Sequence, residues 1–348
     1  MAFEKEYEQV KATIQKYPQQ LKQSWEDVRS IDVPNSYKNV KNIVFCGMGG
    51  SALGARIIDS LCFGQLSIPL EVFNEYHLPR YVNDDTLVVI SSYSGTTEET
   101  LSDLHDKALA KGAKVFGITT GGALATELEE KKIPSYIFEP TNNPSGQPRM
   151  GIGYSAGAFL ALLSMLGLID LKEDDIYSAI SAMQEASKHY ASETDVENTA
   201  YNLSQKLLNK MPILVSSEHV VGTVHTIKNQ FNESAKTFAC SFDLPELNHH
   251  LLEGLGHPEN NKENLHFVFF NSHLYTDQIQ KRYPITQEVL TKNGIEFSTF
   301  APTSTNKLTQ VFETLVFGSF VVYYLTKSYG IDPLAIPWVD YFKEQLKK

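Results

Sequence analysis

The stretch 88-VVISSYSGTTEETL-101 ends an apolar run in Ser91, Ser92, Ser94, Gly95, Thr96 and Thr97. Hydroxyls at a strand end can do one of two things. A single Ser or Thr can cap the helix that follows, by accepting a bond from one of its first backbone amides. Several together can hold an anion, because the helix start adds unpaired N–H groups and the positive end of its dipole. Ser92, Ser94, Thr96 and Thr97 exceed what a cap needs, and Gly95 permits an unusual backbone angle. The loop is therefore predicted to hold a dianionic phosphate without any lysine.

A second candidate is the glycine turn 45-FCGMGGSALG-54, with Gly49, Gly50 and Ser51 at its centre. Small residues let a ligand approach the backbone, and a helix start favours negative charge. The spacing also resembles a dinucleotide fingerprint, which requires an acid at the end of the next strand. Here that strand ends in Asn74 and Glu75, a late fit, so no cofactor is expected; a tight turn with no ligand is the plainer alternative. Among titratable groups, Glu233 sits in 228-KNQFNESAK-236, Arg149 follows a Pro-Ser-Gly-Gln-Pro loop, and Lys343 lies in a lysine-rich helix end, with Lys307 a competing lysine. His249 stands beside His250 in 245-PELNHH-250. Together with His257 they lack compact metal-ligand spacing, so no metal is expected.

These groups need elements to position them. Strands are predicted at 42–47, 69–74, 86–92, 113–119 and 135–140, with helices between, which implies an α/β fold with a parallel sheet covered on both faces. A helical stretch at 154–190 interrupts the pattern. It restarts with strands near 212–217, 265–272 and 295–302, a helix near 275–293, a long helix near 306–328 and a terminal helix near 334–347. Ile43–Leu61 aligns with Ile213–Phe231, and Thr86–Ser92 with Leu265–Ser272, as a repeat of architecture with little identity. The predicted division is an N-terminal helical segment at 1–36, one subdomain at 37–170 and a second at 171–348 with the C-terminal helices.

The 348 residues carry a net charge of −11, which argues against a nucleic-acid partner. The apolar stretches 155–169 and 315–325 fall short of a membrane span and read as buried helices. Three cysteines without metal-type spacing, and an N-terminus without a secretory signal, fit a reducing cytoplasm, which is the expected setting.

The run S-x-S-G-x-T after a strand resembles the phosphosugar loop of the sugar isomerase (SIS) fold. GMGGSA at 47–52, SYSGTTEET at 92–100, QPRMGIGYS at 147–155, NESAK at 232–236, PELNHH at 245–250 and IDPLAIPWVDYFK at 331–343 together resemble the bifunctional phosphoglucose/phosphomannose isomerase family. Two positions depart from it: Thr96 replaces an Asn, and NHH at 248–250 replaces NHN. The resemblance implies two SIS-type subdomains, each a parallel-sheet αβα sandwich. It implies an aldose–ketose isomerase acting on glucose 6-phosphate and mannose 6-phosphate, with Glu233 as proton-transfer base, His249 for ring opening, Arg149 at the enediolate and Lys343 near C1. It also implies a homodimer with shared active sites. Rival readings are a deglycase or aminosugar isomerase on this fold, and a non-catalytic sugar-phosphate regulator. No N-terminal nucleophile cysteine and no basic helix-turn-helix segment supports them.

Overall fold

The apolar runs of the first half become parallel strands in a computed structural model, which describes residues 2–98, 104–193 and 195–348. They are β1 (Asn42–Gly47), β2 (Leu70–Phe73), β3 (Thr86–Ser92), β4 (Lys114–Thr119) and β5 (Ser135–Ile137), ordered β2-β1-β3-β4-β5. β3 is buried along its whole length, as a central strand covered on both faces must be. Val44, Val88, Ile90 and Val115 pack there with Leu104, Leu124 and Leu128 from the covering helices. Of the helix predicted after β3, Glu98 and Leu104–Ala110 are helical; residues 99–103 lie outside the described residues.

A second parallel sheet holds β6 (Met211–Ser216), β7 (Cys240–Asp243), β8 (Leu265–Phe270) and β9 (Glu296–Phe300), ordered β7-β6-β8-β9. The first four strands of the first sheet follow the same order. The register of the central pair agrees as well: Asn42 stands opposite Thr86, and Met211 opposite Leu265. β7 was not foreseen. Its four residues form an edge strand that is never fully buried, so no apolar run announces it.

The chain divides into two compact units, Lys16–Ala182 around the first sheet, and the residues up to Gln15 with Met183–Lys348 around the second. The two helices of the segment read as 1–36 therefore part company. In Tyr17–Arg29 the buried Tyr17, Leu21, Trp25 and Val28 recur at helical spacing and pack on the apolar helix Ile152–Met165. Each such side chain contributes about 1.5–3 kcal/mol on burial. Glu4–Gln15 belongs to the other unit, where the Tyr7 hydroxyl donates to the Ile331 carbonyl at 2.9 Å. The helix Glu173–Tyr190 runs through the division near 182, not at 170, and leaves no linker for sequence to reveal.

The long helix is Lys307–Tyr329, buried on all sides from Leu308 to Thr326. Its length and composition would let it cross a membrane, yet it is the core helix of its unit and packs on Thr199–Lys206 and Val221–Glu233. The Asn306 side chain caps it by accepting from the Thr309 amide at 2.8 Å, and Gly330 ends it in the left-handed region.

Candidate active site

In a sheet ordered 2-1-3-4-5, ligands bind outside the C-terminal ends of the strands at the point between β1 and β3 where the order reverses. The glycine turn leaves β1 there and the hydroxyl loop leaves β3. Two contacts join them. The Ser51 hydroxyl accepts a bond from the Tyr93 amide at 2.8 Å, and Gly50, Ser51, Tyr93, Pro148 and Gly151 line one small pocket. Gly50 must be glycine, since a Cβ on it would stand 2.6 Å from the Pro148 carbonyl carbon. Gly49 holds φ at +47° with open space around it.

Asn74, at the position where a dinucleotide site keeps its acid, donates its amide to the Gly47 carbonyl and accepts from Arg56 Nη2 at 2.6 Å. It holds the turn, and the residues present do not fit a ribose site.

Ser92 does not face solvent. It is fully buried, its Oγ donates to Thr97 Oγ1 at 2.9 Å, and it accepts the Gly95 amide at 3.1 Å. It shapes the loop. Ser94 is exposed and pairs with exposed Thr96 at 3.0 Å between hydroxyl oxygens, while Thr97 is half-buried. Thr96 occupies the position where Asn was expected, and a hydroxyl there still completes the polar rim. Gly95 has φ +64°, and its carbonyl accepts the Leu124 amide at 3.1 Å, pinning the loop to the chain after β4.

Arg149 is buried, not the surface charge that an isolated arginine usually is. A hydrogen-bonded chain ties it to the hydroxyl loop. Its Nη1 donates to Gln147 Oε1 at 2.8 Å; Asn143 Nδ2 donates to the Gln147 carbonyl at 3.0 Å and to the Tyr93 hydroxyl at 2.8 Å. Burial pushes the Tyr93 hydroxyl up to about 12, so it stays protonated at neutral pH. Buried Gln20 fixes the backbone of the same segment, donating to the Asn142 and Met150 carbonyls and accepting from the Gly153 amide. Sequence reading passed over Tyr93, Asn143, Gln147 and Gln20. Tyr93 and Gln147 stood inside the quoted runs, but neither residue type announces such a role.

The second unit carries Glu233, His249 and Lys343. Glu233 is the last residue of Val221–Glu233 and is half-buried. Three residues on, Lys236 Nζ donates to the Asp332 carbonyl at 2.5 Å and so joins the NESAK run to the start of the IDPLAIPW run. His249 and His250 are both exposed on the short helix Leu247–His250. Its anchor is Asn248, which donates to Thr286 Oγ1 at 2.8 Å and accepts from Arg282 Nη1 at 3.1 Å. Lys343 lies on Pro337–Leu346, a helix without one buried residue. Among the described residues no three His, Cys, Asp or Glu side chains cluster as metal ligands would.

The geometry thus brings Gly49, Gly50, Ser51, Ser92, Ser94, Thr97 and Arg149 together within the first unit, and places the expected base, histidine and terminal lysine on the second. Residues 196–346 match the family model described as the bacterial phospho-glucose isomerase C-terminal SIS domain. A bifunctional phosphoglucose/phosphomannose isomerase of Caldicellulosiruptor bescii is 32% identical over 96% of this chain and 98% of its own. One from Thermoplasma acidophilum is 30% identical over 88% and 89%. The solved structure of a hypothetical protein of Thermus thermophilus superimposes with a TM-score of 0.77 at 15% identity, covering 97% of this chain and 90% of that one; it bears on the fold alone. With relatives this similar along nearly its full length, the chain is an isomerase and belongs to the bifunctional phosphoglucose/phosphomannose isomerase family.

Proposed function

We propose that the protein interconverts glucose 6-phosphate and mannose 6-phosphate with fructose 6-phosphate through an enediolate. The observation that carries this reading is the hydroxyl loop at the β1–β3 switch point, tied through Tyr93, Asn143 and Gln147 to a buried arginine. Phosphate sits on Ser94, Thr97 and the amides at the loop end, beside Gly49 and Gly50. His249 assists ring opening by moving a proton between the ring oxygen and O1. Glu233 removes the C2 proton of the aldose and returns it to C1, while the O1 and O2 protons redistribute. The Arg149 guanidinium offsets the negative charge that grows on the enediolate oxygen, and Lys343 lies near C1. No electron leaves the substrate, so the reaction balances without a redox partner. We further assign a homodimer in which each subunit's histidine completes the other's site. The three cysteines are free thiols, in keeping with the cytoplasmic setting that we assign.

A coupled assay tests the reading: the purified protein turns over both aldose phosphates, and no turnover on either sugar would overturn it. The loop has its own test. Removing both presented hydroxyls, Ser94→Ala with Thr97→Val, is expected to weaken sugar-phosphate binding about 100-fold, from two bonds to a charged group at roughly 1.5 kcal/mol each. Unchanged affinity in calorimetric titration would mean that these hydroxyls only shape the helix start.

A further inference from the structure

The second sheet has its own switch point, between β6 and β8, and it is built on the same register as the first. The second residue beyond β1 is Gly49, with φ +47°; the second residue beyond β6 is Glu218, with φ +44°. For a residue with a long side chain that backbone is an outlier. Counting along the matched strands, Thr97 corresponds to Thr276, and each precedes a helical acidic residue, Glu98 and Asp277.

Glu218 reaches across this switch point. Its Oε1 accepts the Thr276 amide at 2.9 Å and the Thr276 hydroxyl at 2.8 Å. These are the donors, at the start of the 16-residue helix Asp277–Lys292, that match the ones assigned to phosphate on Thr97 in the first unit. An anion therefore already occupies the second crevice, and it is a side chain of the protein. The neighbouring position is closed too: Tyr275, matching Thr96, is buried with its ring 5.3 Å from that of His219.

We propose that Glu218 is a built-in ligand, a carboxylate that fills the anion cradle of the second unit and restricts each chain to one phosphate site. The inference rests on the phosphate reading of the first unit. It accounts for a positive φ at a glutamate, since the turn that brings Gly49 close to a ligand here aims a carboxylate at the same donors. Removing the side chain leaves the Thr276 amide and hydroxyl free for inorganic phosphate.

The test is the stoichiometry of inorganic phosphate on the intact chain, by calorimetric titration. Wild type takes one equivalent per chain; Glu218→Gly and Glu218→Asn, both of which accept positive φ, take two. Adding Thr276→Val to either variant returns the count to one. Glu218 lies outside the residues assigned to catalysis, so isomerase turnover in the same samples reports that the variants are folded. An equal count in wild type and both variants overturns the inference. Absence of phosphate binding in wild type counts against the first unit's loop instead, so the two failures are distinguishable.

Discussion

Glu233→Gln is expected to lower turnover of both aldose phosphates by a factor of about 10²–10⁴, the usual contribution of a positioned general base. Glutamine keeps the size of the side chain and its ability to hydrogen-bond, and loses only the capacity to take a proton. Because the proposed phosphate site lies on the first unit's loop, away from Glu233 in the chain, KM should stay within a few-fold while kcat falls, the pattern of an interaction made in the transition state. The two activities should fall together. Glucose and mannose 6-phosphate differ only in configuration at C2 and share one enediolate, so one base serves both once rotation about C2–C3 presents either proton to it. Steady-state kinetics on each sugar checks this, and wild-type turnover in the variant would remove Glu233 from the mechanism.

Gly95→Ala should have the largest effect on the loop without touching a hydroxyl. A Cβ at Gly95 would lie 1.7 Å from the Gly121 carbonyl oxygen, an atom that cannot turn aside. The φ of +64° adds about 1–2 kcal/mol for any residue with a Cβ, and relief of the clash costs about 1–3 kcal/mol more. Destabilisation of about 2–5 kcal/mol is expected in calorimetric melting, with loss of sugar-phosphate binding in any molecules that stay folded. The loop cannot move away from Gly121 and keep the Gly95 carbonyl bonded to the Leu124 amide. A variant with wild-type stability and affinity would show that this contact is dispensable.

What sequence alone could reveal tracks how local the signal is. The runs that became β1, β3, β6 and β8 are continuous and apolar because these strands are buried in their sheets, and the long helix from Lys307 was plain from its length and composition. β7 lies at an edge, half-buried, and offers four residues without a pattern. The hydroxyl loop could be read because its residues are consecutive. The support behind it could not, since Tyr93 and Asn143 are fifty positions apart and meet only through the fold. Ser92 shows the opposite limit: its residue type matched a ligand donor, but its direction is into the protein. Nothing in the sequence singles out Glu218, because a positive φ leaves no trace in composition.

The hydroxyls of the loop already bond to one another, Ser92 with Thr97 and Ser94 with Thr96. An arriving phosphate therefore trades with an existing network. Ser94 and Thr96 need only rotate about their C–O bonds, on the picosecond-to-nanosecond timescale of exposed side chains, while the backbone stays held by Gly95, Ser51 and Tyr93. The Ser94–Thr96 bond uses only one of their two protons, so bonds to a charged phosphate, about twice as strong as neutral ones, outweigh the one given up. When the phosphate leaves, Ser94 and Thr96 pair with one another again, so the emptied loop returns to its own network.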